Sequence, residues 1–252
     1  MTRFVYGLNP VLEALQARPR EVVRVLLART RDGRRSHAGE RAFEAAIAAG
    51  VRVEEAAHGE LARRSQSGVH QGVAAEVAEF RYAELPDLID AARERGEAPF
   101  LLVLDGVTDP QNLGALARSA HALGVHGLVL PKDRAAGVGP AAFKAAAGAL
   151  EHCPVARVTN LSRALDDLKD AQIWSVALAA DGDTDLSAID LTSGVALVLG
   201  SEGKGVRPLV RKTCDQVARI PMSGRVGSLN VSAAGAIASY EVARQRRSRS
   251  SP

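Results

Sequence analysis

Cysteine and histidine are scarce in this chain, and their positions argue against a metal enzyme. The two cysteines, Cys153 and Cys214, have no CxxC spacing, so we expect free thiols and neither a disulfide nor metal ligands. The six histidines are scattered, without an i, i+4 pair beside a carboxylate. The sequence therefore predicts no metal site.

Long apolar runs and a secretory leader are also lacking. No apolar run approaches the roughly 18 residues that a membrane span requires, and the first residues show no charged segment followed by an apolar one. We therefore expect a cytoplasmic protein without a membrane partner. With 46% apolar residues over 252 positions, the chain can bury one large core or two modest ones.

Aromatic residues and net charge are low as well. Phe, Trp and Tyr make up 4% of the chain, which argues against a single-strand binder that stacks bases on rings. The formal net charge is +3, and the tail Arg244–Arg249 alone holds four arginines. Bulk charge therefore does not identify a nucleic-acid partner, and the tail is either disordered or steers the chain towards RNA phosphates.

Alternating helix and strand patterns predict an α/β protein with two domains. Residues 1–80 alternate in this way and predict a small α/β domain. Residues 81–98 have a polar, helical pattern with one weak apolar stripe, and we interpret them as a linker. The apolar run Phe100–Asp105 is typical of a strand buried on both faces and begins a second, open α/β domain over 99–252. A helix over Ala141–Leu150 is assigned to that second domain.

Three loops of the second domain hold most of the candidate chemistry. The first, Asp105–Ser119, leads from a strand into a helix that carries Asn112 and Arg118. The second, Leu197–Arg207, opens from an apolar strand into a glycine loop with the single carboxylate Glu202. The third, Ile220–Glu241, contains Pro221 and two glycines and then turns helical, with Asn230 or Ser228 as the helix cap. Such loops expose main-chain groups to a small polar ligand.

Neither of the common nucleotide-binding motifs fits these loops. A Rossmann site needs G-x-G-x-x-G after an early strand, whereas here the glycine loop Gly200–Gly205 follows a late one. A P-loop needs Ser or Thr after its lysine, whereas Lys204 is followed by Gly205. An NAD enzyme and a nucleotide hydrolase are both disfavoured.

Taken together and in this order, the three loops resemble the three motifs of the SpoU/TrmH family of RNA 2′-O-methyltransferases, which is part of the SPOUT superfamily. The resemblance implies a SPOUT domain with a deep trefoil knot, S-adenosyl-L-methionine (SAM) as the cofactor and a homodimer formed through the C-terminal domain. In the first domain, Tyr6–Leu15 and Ser67–Ala74 resemble the two ends of the L30e-like RNA substrate-binding domain of some family members.

The resemblance also implies the site residues. Main-chain contacts to SAM fall on Gly200, Ile220 and Leu229, with Met222 close by, because glycine admits a close ligand and the two apolar residues flank a purine. Ile220 and Leu229 could alternatively be core residues.

Arg118 is implied as the central catalytic residue. Asn112, Glu202, Ser228 and Asn230 are placed around it. Because a free guanidinium cannot ordinarily accept a proton, we interpret Arg118 first as a clamp on a phosphate that also stabilises the developing alkoxide, and second as a base. Glu202 would orient Arg118 or take part in the proton path. The alternatives are that Asn112 only caps its helix and that Arg118 is a plain surface residue.

Two features of the first domain have alternative interpretations. His70 and Gln71 are assigned a structural hydrogen-bonding role. The Arg31–His37 cluster is either a phosphate-binding patch or a solvated loop.

The predicted function is methylation of a ribose 2′-hydroxyl, most similar to the family subgroup that acts on a guanosine of 23S ribosomal RNA. Methylation of tRNA or of another rRNA nucleotide, as in antibiotic resistance, is the enzymatic alternative. A non-catalytic RNA-binding protein of ribosome assembly is the alternative from another class.

Overall fold

The computed structural model describes residues 2–30, 33–65, 69–224 and 227–250, and it divides into two compact units. Unit 1 consists of Met1–Arg81 and Val138–His152, and unit 2 of Tyr82–Gly137 and Cys153–Pro252. Five residues of the predicted basic cluster and motifs lie outside the described residues: Arg31, Ser67, Gly68, Arg225 and Val226.

Unit 1 is built on a mixed four-stranded sheet. Its strands β1 to β4 lie in the order β1-β4-β2-β3, with β2 and β3 parallel and the other pairs antiparallel. The elements of this part of the chain are β1 (Thr2–Tyr6), α1 (Leu8–Ala17), a 3-10 turn (Pro19–Glu21), β2 (Val22–Ala28), α2 (His37–Ala48), β3 (Val53–Ala56), α3 (His58–Ser65) and β4 (Val73–Ala78).

One face of this sheet packs against α1 and α2 through Val11, Val25 and Ala46, and the other packs on α3 through Leu61. The predicted small α/β layer is thus observed, and only the edge strand β1 was not predicted. His70 is buried and its Nδ1 accepts the Gly72 N–H at 3.1 Å, while Gln71 Oε1 accepts the Leu8 N–H at 3.0 Å. Both side chains have the structural role assigned to them.

Unit 2 is built on seven parallel strands in the order β7-β6-β5-β10-β8-β11-β9. Its elements up to residue 137 are α4 (Leu85–Glu94), β5 (Phe100–Asp105), α5 (Pro110–Ala122) and β6 (Gly127–Pro131). The segment Val138–His152, with α6 (Pro140–Ala146) and a 3-10 turn (Ala149–Glu151), packs in unit 1. Unit 2 then continues with β7 (Val155–Val158), α7 (Leu161–Asp170), β8 (Trp174–Leu178), β9 (Thr184–Asp185), a 3-10 turn (Leu186–Ala188), β10 (Val195–Gly200), α8 (Pro208–Thr213), β11 (Gln216–Arg219) and α9 (Val231–Ser250).

Three stretches differ from the sequence analysis. The segment 81–98, interpreted as a helical linker, forms α4, but its apolar stripe Leu85, Leu88 and Ile89 is buried in the core of unit 2. The predicted helix Ala141–Leu150 is shorter, ending at Ala146, and it groups with unit 1. The weak apolar stripe of α4 was enough for burial, because one face of the parallel sheet needs a helix to cover it.

The arginine tail is the third difference. It is not disordered as far as Ser250, because α9 runs through it and Arg246 donates to the carbonyl oxygens of Ala98 at 2.7 Å and Ser193 at 2.7 Å. The burial that accompanies these bonds lowers the pKa of Arg246. This side chain therefore fastens the helix to the body of unit 2.

Both cysteines are free thiols, as predicted. Burial raises the pKa of the Cys153 thiol to about 12, so it stays protonated and unreactive at neutral pH. Among the described residues, none of the helices combines the length and the apolar character that crossing a membrane requires. The same residues contain no group of three or more His, Cys, Asp or Glu side chains placed to hold a metal ion.

Candidate active site

Two asparagines and a glutamate from three separate loops meet at the carboxyl edge of the unit 2 sheet. Asn112 Nδ2 donates to Glu202 Oε1 at 2.6 Å, and Asn230 Nδ2 donates to the same oxygen at 2.9 Å. Asn230 Nδ2 also lies 3.1 Å from Asn112 Oδ1. One carboxylate oxygen thus ties the first, second and third loops together, because the carboxyl ends of the parallel strands β5 and β10 lie at one edge.

The two asparagines are placed by different local structures. Asn112 is buried and is not the cap of α5, because Asp109 takes that position and accepts the Gln111 N–H at 2.8 Å. Asn230 does cap α9: its Oδ1 accepts the Ser232 N–H at 2.9 Å and the Ser232 hydroxyl at 2.6 Å. The interpretation of Asn112 as a cap is wrong, and its side chain is instead directed to Glu202.

The glycine loop after β10 folds back on itself. Ser201 and Gly205 exchange two main-chain hydrogen bonds of 3.1 and 2.9 Å. A Cβ on Gly200 would lie 1.9 Å from the carbonyl carbon of Gly205, so only glycine permits this closure. The atoms that require a glycine at this position belong to the loop itself, whereas the sequence predicts a glycine that leaves room for a ligand.

An ion pair between a buried aspartate and an exposed arginine fixes the far end of the same loop, and no sequence pattern pointed to it. The fully buried Asp105 accepts the Arg207 N–H at 2.8 Å through Oδ2 and Arg207 Nε at 2.6 Å through Oδ1. Asp105 ends β5, so it joins the first loop to the second. An aspartate at the end of an apolar strand indicates a buried carboxylate that needs a partner. No spacing rule, however, relates it to an arginine 102 residues later.

A cavity of about 730 Å³ opens beside the cluster, a size typical of cofactor sites. It is lined by Gly200, Glu202, Ile220, Met222, Ser228, Leu229 and Asn230, together with residues of the loop after β8, Leu178–Asp181. All four predicted cofactor contacts and three of the five predicted catalytic residues thus line the same cavity.

The apolar residues of this cavity are available to a ligand. Leu229 is 40% exposed and Met222 is 38% exposed, whereas Ile220 is half-buried. The interpretation of Leu229 as a core residue is therefore wrong. Exposed apolar side chains beside main-chain N–H and C=O groups suit a purine ring, so the cavity fits the adenosyl part of SAM.

Arg118 lies apart from the other predicted site residues. It is exposed on α5 and, within the described residues, makes no hydrogen bond or ion pair and does not line the cavity. Six residues along an α-helix correspond to a rotation of about 240° and a rise of about 9 Å, so Arg118 leaves α5 on a different side from Asn112. Its helix face also carries Gln111, Ala115 and Ala122, at i−7, i−3 and i+4 from Arg118.

Two family models match the chain. The model described as "SpoU rRNA Methylase family" matches residues 99–240, and the one described as "RNA 2'-O ribose methyltransferase substrate binding" matches residues 4–83. The first match covers more than half of the chain. The chain belongs to the SpoU methylase family. Membership makes it an RNA 2′-O-ribose methyltransferase that uses SAM, as the resemblance of the three loops implied.

Similar SpoU proteins extend over nearly the whole chain. "Putative TrmH family tRNA/rRNA methyltransferase YacO" of Bacillus subtilis is 43% identical over 244 residues, which is 96% of each chain. "23S rRNA (guanosine-2'-O-)-methyltransferase RlmB" of Yersinia pestis is 43% identical over 246 residues, which is 98% of each chain. These alignments therefore run through both units of the chain.

Among solved structures, the SpoU methyltransferase AviRb from Streptomyces viridochromogenes in complex with AdoMet superposes with a TM-score of 0.79 at 27% identity. That match covers 97% of this chain and 90% of AviRb. The AdoMet-bound rRNA methyltransferase from Sinorhizobium meliloti gives a TM-score of 0.77 at 26% identity, covering 96% and 87%. The α/β SPOUT architecture predicted for this chain is thereby confirmed.

Proposed function

We propose that this SpoU methylase transfers a methyl group to the ribose 2′-hydroxyl of a guanosine in 23S rRNA. The observation that carries the proposal is the cavity beside the cluster of Asn112, Glu202 and Asn230. The predicted cofactor contacts line this cavity. The guanosine and the 23S rRNA are supported by the relative from Yersinia pestis, which is named for that reaction. A ribosomal substrate would place the enzyme in the cytoplasm.

The loops of this chain would hold the cofactor. Gly200, Ile220, Met222 and Leu229 line the cavity that we assign to SAM, which supplies a methyl group on a positively charged sulfur when bound. Because a sulfonium is already a good leaving group, the protein has mainly to align the hydroxyl and help to remove its proton. The shared hydrogen bonds of Glu202 keep the three loops in the arrangement that this alignment needs.

The polar residues divide into holding and reacting groups. Both side-chain amides donate a hydrogen bond to Glu202, so Asn112 and Asn230 act first as positioning residues for the loops. Ser228 lines the cavity and its hydroxyl is available to bind a ribose or the cofactor. Arg118 would donate hydrogen bonds to an RNA phosphate and to the developing alkoxide, because a guanidinium carries several donors and no acceptor.

We further propose that the active form is a homodimer through unit 2. Ala233, Ile237 and Tyr240 lie on one side of α9 at i, i+4 and i+7, and all three are exposed. An apolar stripe of this kind next to α5 supports contact with a second copy. Two copies meeting at α9 would also bring the isolated Arg118 of one towards the other.

A knot in unit 2 is also part of the proposal. Strand β10 lies between β5 and β8, which both precede it in the chain, and the chain then passes outside β8 as β11 before α9 packs on α5. This order supports a chain end threaded through an earlier loop.

The test compares ribose methylation of rRNA in cells with and without this protein, using alkaline hydrolysis of the RNA. A 2′-O-methyl group blocks cleavage at its own linkage, so one protected guanosine in 23S rRNA should appear only when the protein is present. Protection in tRNA instead would favour tRNA as the substrate, which the name of the relative from Bacillus subtilis includes. A fully cleavable product from an active enzyme would exclude the ribose as the acceptor.

A further inference from the structure

Unit 1 contains a second cavity, separate from the one in unit 2 and unused by the chemistry described above. Its volume is about 290 Å³, just below the ~300 Å³ at which typical ligand pockets begin. It lies along the edge strand β1 and is closed by the segment around α6, and both belong to unit 1. A space of this size accepts a single ring system.

The aromatic residues of the chain are concentrated at this cavity. Phe4, Tyr6, Phe80 and Phe143 line it, which is four of the nine aromatic residues in 252. Phe80 and Phe143 contact each other edge to face, with their ring centroids 5.9 Å apart. The low aromatic content argued against base stacking for the chain as a whole, but this one cavity brings four rings together.

A buried cation gives this apolar cavity a polar end. The Arg3 guanidinium lies 3.9 Å from the centroid of the Phe143 ring and donates twice to Glu151, at 2.8 and 2.9 Å, from Nη2. The Arg3 side chain is only 11% exposed, and its Nη1 is buried without a hydrogen-bond partner among the described residues. A buried donor without a partner is costly, and a ligand acceptor would relieve that cost.

The edge strand supplies further hydrogen-bonding groups. The Gly7 N–H donates to Val73 O, next to the antiparallel pair of β1 with β4. Because main-chain groups alternate in direction along such a strand, Arg3 and Val5 also direct their N–H and C=O groups towards β4. The main-chain N–H and C=O of Phe4 and Tyr6 consequently face away from β4, on the side of an edge strand. Donors and acceptors in a row beside aromatic rings match the hydrogen-bonding edge of a nucleobase.

We propose that this cavity binds one unpaired nucleobase of the RNA substrate. The ring would lie among Phe80, Phe143 and Tyr6, with an acceptor atom of the base on Arg3 Nη1, while the exposed Lys144 and Glu79 at the rim meet the phosphate and an amino group. Six of the lining residues fall in the part of the chain that matches a substrate-binding family model: Phe4, Val5, Tyr6, Pro10, Glu79 and Phe80. The inference rests on the proposed function, because it takes the ligand to be the RNA that is methylated.

The matched pair of variants is Phe143→Leu and Phe43→Leu in the full-length protein. Both exchange a ring for an apolar side chain in unit 1, but Phe43 lies under Arg35, at 3.7 Å, and does not line the cavity. Binding is measured with a 23S rRNA transcript by filter retention at fixed salt. Phe143→Leu should weaken binding by about fivefold or more, the effect of losing one base–ring stack, whereas Phe43→Leu should leave it unchanged. Equal thermal unfolding midpoints for the two variants show that folding is not the cause.

Photocrosslinking gives the location directly. The same transcript is made with 4-thiouridine or 6-thioguanosine, irradiated with the wild-type protein and digested, and the crosslinked peptides are mapped. Crosslinks should appear in the peptides that contain Phe4, Phe80 or Phe143 and should decrease in Phe143→Leu. Crosslinks confined to other peptides, or equal RNA affinity of the two variants, would overturn the proposal. Methylation by the wild-type protein is recorded in parallel, so that failure of the cavity is distinguished from failure of the proposed function, in which no RNA is methylated.

Discussion

At the scale of single residues, Arg118 separates reaction from cofactor binding. It does not line the cavity of unit 2, so Arg118→Ala should leave SAM affinity unchanged in calorimetry. Single-turnover methyl transfer should fall by about 100-fold or more, because one preorganised donor to the transition state is lost.

Arg163→Ala is the control for this variant, since Arg163 is also an exposed arginine on a helix of unit 2. It should behave as the wild type in both measurements. If Arg118→Ala lost SAM affinity and turnover to the same extent, Arg118 would be a structural part of the cofactor site.

Glu202 allows a structural role to be distinguished from a chemical one. Its Oε1 accepts from Asn112 and Asn230, so Glu202→Ala leaves two amide donors without their acceptor and should weaken SAM binding by about 1–3 kcal/mol. Glu202→Gln keeps an acceptor oxygen of the same shape and should retain SAM affinity. Calorimetry of the two variants measures this difference.

Turnover of Glu202→Gln then reports on the negative charge. A slow variant with normal SAM affinity would mean that the carboxylate takes part in the proton path, and normal turnover would confine it to holding the loops. Unchanged SAM affinity of Glu202→Ala would contradict the view that this carboxylate ties the loops together.

The sequence singled out these residues as candidates but did not predict their arrangement. Asn112, Glu202 and Asn230 were singled out because they stand in loops that match family motifs, and the structure brings them within hydrogen-bonding distance. The separation of Arg118 from Asn112 follows from helix geometry once the helix is established. The pairing of Asp105 with Arg207 could not be predicted, because it depends on two strands lying side by side in the sheet.

At the scale of elements, the glycine loop after β10 depends on one missing side chain. A Cβ at Gly200 would collide with the main chain of Gly205 and Val206, which cannot move as a side chain does. Gly200→Ala should therefore lower the free energy of unfolding by about 1–3 kcal/mol and weaken SAM binding, since the displaced loop lines the cavity. Urea unfolding and calorimetry measure the two effects.

Gly224→Ala is the matched control, because a Cβ there meets no atom of the described residues within 4 Å and its φ is not positive. It should change the unfolding free energy little. Equal SAM affinity of the two alanine variants would show that the closure of the loop at Gly200 is not needed for binding.

The elements themselves were largely predictable, because apolar periodicity reports burial. Strands of the parallel sheet appeared as continuous apolar runs, and the helices between them followed. The predictions were wrong where burial was one-sided: the stripe of α4 looked like a linker, and the arginines of α9 looked like a free tail. In the tail, Arg246 is held by main-chain carbonyl groups, which no sequence pattern records.

At the scale of the whole molecule, the proposed homodimer follows from the exposed stripe on α9. Ile237 is 44% exposed, with Ala233 and Tyr240 exposed on the same side. Placing a charge in the middle of an apolar contact leaves it desolvated and unpaired, which costs far more than a surface change. Ile237→Lys should therefore convert a dimer into a monomer at micromolar concentration, as measured by light scattering during gel filtration.

The functional consequence of that variant tests why the dimer forms. If a second copy brings Arg118 to the cavity, the Ile237→Lys monomer should bind SAM normally and lose methyl transfer in parallel with the dimer, because Ile237 does not line the cavity. Ile47→Lys is the control: Ile47 is a similarly exposed isoleucine on α2 of unit 1, 59% exposed, and its change should leave the dimer and the activity intact. A fully active monomer of Ile237→Lys would show that Arg118 reaches the substrate within one chain, and a wild-type protein with the mass of one chain would exclude the dimer altogether.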